Sequence, residues 1–288
     1  MRLGVHLPLI DFDGRGWRPG ELGAFARTAR DLGYTAIGAN DHLVFQRPWL
    51  DAIVALASVV EHSGDMRLAT TVALPVVRGP AALAKAAIAL DVLSGGRMIL
   101  GVGPGSSVQD YALAGLDFSE RWSLFDDAVR TLRTYDKPLW IGSWGSDAGL
   151  RRVARLGDGW LASAYNASPA QIAAARVRLG TALREAGRDP DGFPCALATM
   201  WTYVTDCDQQ REEHLSALGR ILNRSPDQLR ERVLIGTAPD CAVTLRACAE
   251  AGIDQVFVWP LADPHEQLER LMRDVVPLAT AGSRPPGS

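Results

Sequence analysis

The residues of this chain that could do chemistry fall just after its short apolar runs. His42, in Asn40-Asp41-His42, follows the run Thr35-Ala-Ile-Gly-Ala39 and is the one well-placed titratable group. An imidazole with an ordinary pKa of about 6.5 can give or take a proton near neutrality. Three roles stay open for it: acid–base catalysis, orientation of a ring or substrate, and structure. His6 leaves the first apolar run, either towards a pocket or as a hydrogen-bonded core residue. Gly142-Ser143-Trp144-Gly145-Ser146 runs straight into a helical pattern, with Arg151 and Arg152 a turn or two on. Bare N–H groups and hydroxyls at a helix start make an anion site; an ordinary strand-to-helix turn is the alternative. Trp49, Trp201 and Trp259 also sit near run ends, where indoles line a pocket or pack on one another, whereas Trp122 and Trp160 lie on element faces and read as core. This set is rich in aromatics and hydroxyls and poor in carboxylates. It suits a large planar cofactor with a phosphate tail.

Such residues need a scaffold that gathers strand ends. The stretch 90–105, LDVLSGGRMILGVGPG, contains one complete unit of it. A helix ends at a Ser-Gly-Gly turn, where Gly95 and Gly96 allow the left-handed conformation. Residues 98–102 then form an apolar strand buried on both sides. Gly101, Gly103 and Gly105 leave its exit bare. Further strands are predicted at 2–7, 35–39, 67–72, 137–142, 159–163, 196–204 and 255–259, with helices between them. Ser168-Pro-x-Gln171 and Ser225-Pro-x-Gln228 are helix starts with a capping box. Eight strands alternating with helices predict an α/β fold, a single (β/α)8 TIM barrel over residues 1–280. An open doubly wound sheet is the competing arrangement. Residues 281–288 read as a disordered tail.

The 288 residues exceed the roughly 250 that such a barrel commonly uses. A hydrophobic share of 47% supports a large core, and a net charge of −3 recommends neither nucleic acid nor an anionic membrane as partner. The apolar runs are too short to span a bilayer, and the N-terminal stretch lacks a signal-peptide pattern, so a cytoplasmic protein is expected. The four cysteines form no CxxC pair and read as reduced packing residues. No P-loop and no zinc-binding cluster occurs, and no metal site is expected. Gly101-x-Gly103-x-Gly105 lacks the third glycine spacing and the later acidic residue of a dinucleotide fingerprint.

LD-x-LSGGR-x-ILGVG-x-G, Gly4-Val-His-Leu-Pro8, Asp41-His42, Arg78-Gly-Pro80 and Gly157-Asp-Gly-Trp160 occur in an order that resembles the bacterial luciferase-like family of flavin and deazaflavin oxidoreductases. The resemblance implies a barrel whose loop at Ser143, Trp144, Gly145 and Ser146 holds the cofactor phosphate, with Ser163 facing it. It implies a non-proline cis peptide at Thr71-Val72 under the central ring, and a cofactor site that also includes Asp41, Gly103 and Gln109. It places His42 beside the reactive carbon, as in some deazaflavin-dependent relatives. The substrate pocket would draw on His6, Trp49, Ser106, Trp201 and Trp259. Ser106 stands where sugar-phosphate dehydrogenases of the family have a glutamate, which argues against that reaction. The link between Leu132 and Pro138 is shorter than in many relatives.

The expectation is an oxidoreductase of the coenzyme F420-dependent branch, moving a hydride between reduced deazaflavin and a C=C or C=N bond of a small-molecule substrate. A reduced-FMN-dependent monooxygenase is the alternative, and a non-catalytic cofactor-binding protein is the reading of another class. A separate reductase would supply reduced cofactor, and a homodimer is a further expectation from the family.

Overall fold

The structure is a computed structural model and describes residues 1–281. Among the described residues there are nine strands: β1 Arg2–His6, β2 Ala36–Ala39, β3 Arg67–Thr70, β4 Met98–Val102, β5 Leu139–Gly142, β6 Gly159–Ser163, β7 Cys195–Val204, β8 Leu234–Gly236 and β9 Gln255–Pro260. Every pairing between these strands is parallel. β1 to β7 pair in order, β7 pairs with β9, and β9 closes on β1. Eight strands thus make the expected barrel, and the ninth, β8, joins only the far end of β7. Three residues are too few to show a period in sequence, so Leu234–Gly236 falls unassigned between the helical stretches at 208–232 and 239–251. The tail expected at 281–288 lies, beyond Ala281, outside the described residues. Among the described residues, no helix is long and apolar enough to cross a membrane.

The alternation along each strand separates two cores. Val5, Ile37, Leu68, Leu100, Ile141 and Val256 belong to the large outer core shared with the surrounding helices. Ala36, Ala69, Leu161, Ala196 and Phe257 fill the lumen with mostly small side chains. A third cluster caps one side of the barrel top and contains Ile10, Trp201, Tyr203, Trp259 and Leu215. Both expected capping boxes form, at Ser168 and Ser225. Trp160 is buried as expected, but Trp122 is 42% exposed rather than core. It sits at the start of its helix, a turn before the buried face of Phe125, Ala128, Val129 and Leu132.

Two irregularities shape the top of the lumen. The Thr71-Val72 bond at the exit of β3 is cis. In β7 the register against β9 slips between Leu197 and Met200, and Thr199 there has φ +57°. A β-branched residue with positive φ marks a bulge held by its surroundings. His6 is what holds it: its Nε2 accepts the Thr199 N–H at 3.2 Å.

Candidate active site

A cavity of about 480 Å³ opens at the C-terminal ends of β2 to β7. Its walls include Asn40, Asp41 and His42 after β2, Thr71 and Val72 after β3, and Gly103 to Ser106 after β4. They continue with Gly142, Ser143, Trp144 and Ser146 after β5, Ser163 and Tyr165 after β6, and Ala198 and Thr199 in β7. In a parallel barrel this is the end at which strand-exit loops build sites. Gly103 keeps the wall thin, because a Cβ there would lie 2.8 Å from Val72 Cγ2.

His42 is oriented from behind. Its Nδ1 lies 2.8 Å from Asp110 Oδ2. Asp110 Oδ1 accepts the N–H groups of Leu43 and Val44 at 3.0 and 2.8 Å. A carboxylate accepts only, so the proton sits on Nδ1, and Nε2 is the nitrogen left for the cavity. The ring is flanked by Phe45 and Trp49, with centroids 5.5 and 5.0 Å away. Asp110 lies in the short helix Val108–Leu113, 99% out of solvent. Its neighbour Gln109, expected in the cofactor site, is exposed and does not line the cavity. Tyr111, next in the same helix, donates its hydroxyl to Pro104 O at 2.6 Å and fixes the β4 exit. Burial pushes its phenol up to about 12.

Asp41 lines the cavity, but its carboxylate is committed elsewhere. It takes a two-pronged contact from Arg78, whose Nη2 lies 2.6 Å from Oδ1 and whose Nε pairs with Oδ2. Arg78 also reaches Asp51 at 2.5 Å. The Asp41 hydrogen bonds hold the Arg78 guanidinium above its ordinary pKa. Asn40, absent from the expected site residues, accepts Val72 N–H at 3.2 Å and so ties the β2 exit to the cis bond.

The loop after β5 has the donors of an anion site. Ser146 caps the helix Asp147–Leu156 and accepts Gly149 N–H at 3.2 Å; Ser143 accepts Gly145 N–H at the same distance. Both hydroxyls keep their O–H to donate, and the first-turn N–H groups of the helix face the same end. Gly149 leaves room for the Ser143 hydroxyl, since a Cβ there would lie 2.3 Å from Ser143 Oγ. Arg152 lines the cavity one turn further on; Arg151 is exposed and does not. Ser163 is held by Thr199 Oγ1 and Asn166 Nδ2, each at 3.0 Å. The hydroxyl and N–H donors of this loop, with apolar walls that include Val72, Leu74 and Leu161, fit a phosphate-bearing planar cofactor.

The cavity does not include His6, Trp49, Trp201, Trp259 or Gly145 among its walls. The aromatic residues stack on one another instead. His6 lies 4.3 Å from Trp259, and Trp259 lies 4.2 Å from Trp201. Fully buried, His6 has its pKa lowered to about 3 by desolvation and is neutral. Ser106 is exposed at the mouth. Phe118, Arg121 and Trp122 complete the mouth; they come from a helix start whose spacing gave no sign of it.

The family described as luciferase-like monooxygenase matches residues 11–135 and 131–255. An F420-dependent glucose-6-phosphate dehydrogenase from Amycolatopsis mediterranei is 23% identical, over 90% of this chain and 94% of its own. Among solved structures, an F420-dependent secondary alcohol dehydrogenase in complex with an F420-acetone adduct superposes with a TM-score of 0.83 at 18% identity, over 96% of this chain and 98% of its own. A monooxygenase from Streptomyces bottropensis gives the same TM-score, 0.83, at 16% identity, over 96% and 99%.

Proposed function

The chain belongs to the luciferase-like monooxygenase family, and from that premise we propose that it is a coenzyme F420-dependent oxidoreductase acting on a C=C or C=N bond of a small metabolite. The observation that carries this reading is the His42–Asp110 pair set into a cofactor-sized cavity. When bound, the reduced deazaflavin supplies a hydride, and it supports oxygen chemistry poorly. Hydride transfer to an unsaturated bond also needs one proton. His42 holds that proton at Nε2, and Asp110 stabilises the ring while it is charged. Ser143, Ser146 and the start of the helix Asp147–Leu156 hold the phosphate. Val72 and Gly103 bound the ring face. Ser106 has no acid to offer a sugar-phosphate substrate, in contrast to the dehydrogenase relatives the family resemblance describes.

The reduced-FMN monooxygenase is the second reading, favoured by an equal fold likeness to a monooxygenase. Cofactor identity separates the two. The apo-protein is titrated with F420 and, separately, with FMN, and followed by fluorescence. Tight binding of the deazaflavin alone supports hydride transfer. Tight binding of FMN alone replaces it with the oxygen reaction. If neither binds, the assignment of Ser143 to Ser146 as the phosphate loop fails.

A further inference from the structure

The mouth of the cavity holds side chains that the phosphate loop does not use. The helix Arg121–Leu132 starts there, and Trp122 stands exposed on it. The Arg121 guanidinium carbon is 5.2 Å from the centroid of the Trp122 ring and 4.2 Å from that of Phe118. The Arg152 guanidinium carbon is 4.6 Å from the Trp122 centroid. One indole is thus stacked against two cations, and all four residues line the cavity.

These charges are not balanced from within. Arg152 shares Asp126 with Arg155, so two cations meet one carboxylate. Arg121 gives one N–H to Phe118 O at 3.1 Å and has no ion pair among the described residues. Asp41, the carboxylate that lines the cavity, is already taken by Arg78. Arg121 also opens its helix, where a cation opposes the helix dipole. A guanidinium that is unfavourable to its own helix, with most of its donors unused, is placed for an anion from outside the chain.

We propose that Arg121 and Arg152, with Trp122 against both, form an anion subsite outside the phosphate loop, and that it takes the carboxylates of an acidic tail extending beyond the cofactor phosphate. The proposal rests on the deazaflavin reading above. FMN ends at its phosphate, so it fills the loop at 142–146 and leaves the subsite empty. A deazaflavin whose phosphate continues as a diester into a glutamyl chain fills both.

The test is a fluorescence titration of the apo-protein with three ligands: the deazaflavin with its glutamyl tail, the same deazaflavin trimmed back to its phosphate, and FMN. The tailed form is expected to bind about tenfold more tightly than the trimmed one, the scale of a charge-assisted contact. The margin should shrink several-fold as salt rises from about 0.05 to about 0.5 M. Arg121→Gln should remove the margin and leave the trimmed form's affinity as it was. Equal binding of tailed and trimmed forms by the unaltered protein overturns the proposal and leaves the deazaflavin reading standing. Binding of FMN with neither deazaflavin form overturns both. A margin that survives both high salt and Arg121→Gln also overturns it, as does a variant whose only defect is a raised KM for a carboxylate-bearing substrate. The salt series uses the unaltered protein, so it decides the matter even if the variant does not fold.

Discussion

Asp110 Oδ2 lies 2.8 Å from His42 Nδ1, across 68 residues of chain. The same carboxylate, through its other oxygen, holds the two N–H groups that follow His42. One buried acid therefore fixes both the ring and the backbone that carries it. Asp110→Asn keeps an oxygen for the backbone but can turn an N–H towards Nδ1, which inverts the tautomer. It should lower kcat by about 100-fold with little change in KM or melting temperature, the scale of a lost acid–base contribution. His42→Gln should lower it similarly, and the double variant no further, because the two act as a unit. Steady-state kinetics of the three variants checks this.

Gly149→Ala should separate binding from folding. The added Cβ would press on Ser143 Oγ at 2.3 Å and Ser146 Oγ at 3.0 Å, while the helix gains a better former. Cofactor affinity should fall by about tenfold or more, the cost of a displaced anion contact, with the melting temperature little changed. Titration beside a thermal melt reads both.

Arg78 compensates Asp41, whose side chain is 1% exposed. Arg78→Met leaves that carboxylate buried without a partner and should cost about 3–5 kcal/mol. Arg78→Lys should recover little, since a point charge cannot reproduce the two-pronged contact. Urea midpoints of the three proteins provide the comparison.

His6 makes stability depend on pH in a defined window. Its folded pKa is about 3, against about 6.5 for a free imidazole. Between those values the unfolded chain takes up a proton and the folded chain does not. Stability should therefore be full above about pH 6.5 and fall as pH drops towards 3, by at most about 1.4 kcal/mol per pH unit from this group. His6→Gln, which can still accept the Thr199 N–H, should be less stable at pH 7 but should lack this part of the slope. Denaturation curves at pH 7, 6 and 5 for both proteins measure it; parallel losses would assign the slope to other groups.

The barrel was legible in the sequence because each strand-turn-helix unit announces itself locally. Apolar runs, glycine exits and Ser-Pro-x-Gln starts need no knowledge of distant residues. The loop at Ser143 to Ser146 was visible for the same reason. Asp110 was not, because its role depends on a partner in another strand-exit loop: Ser107-x-x-Asp110 marks the start of a six-residue helix, but not what the carboxylate holds. The strand-exit aromatics misled in the opposite way. His6, Trp259 and Trp201 stack face to face in series, beside a bulge at Thr199 that no local pattern announces, and so pack on one another rather than line the cavity. Trp122 has core spacing in its helix, but its position at the helix start puts it at the mouth, against two arginines.

The central claim is hydride delivery from a deazaflavin with a proton from His42, and isotope transfer tests it most directly. Reduced F420 carrying deuterium at the reactive carbon is mixed with the protein and a panel of enones and cyclic imines under strict exclusion of oxygen, and products are read by mass spectrometry. The account requires one deuterium in the reduced product, formed without oxygen and slowed strongly by His42→Gln. Product that forms only in air, with an oxygen atom incorporated and no deuterium, would contradict it and establish the monooxygenase reaction instead.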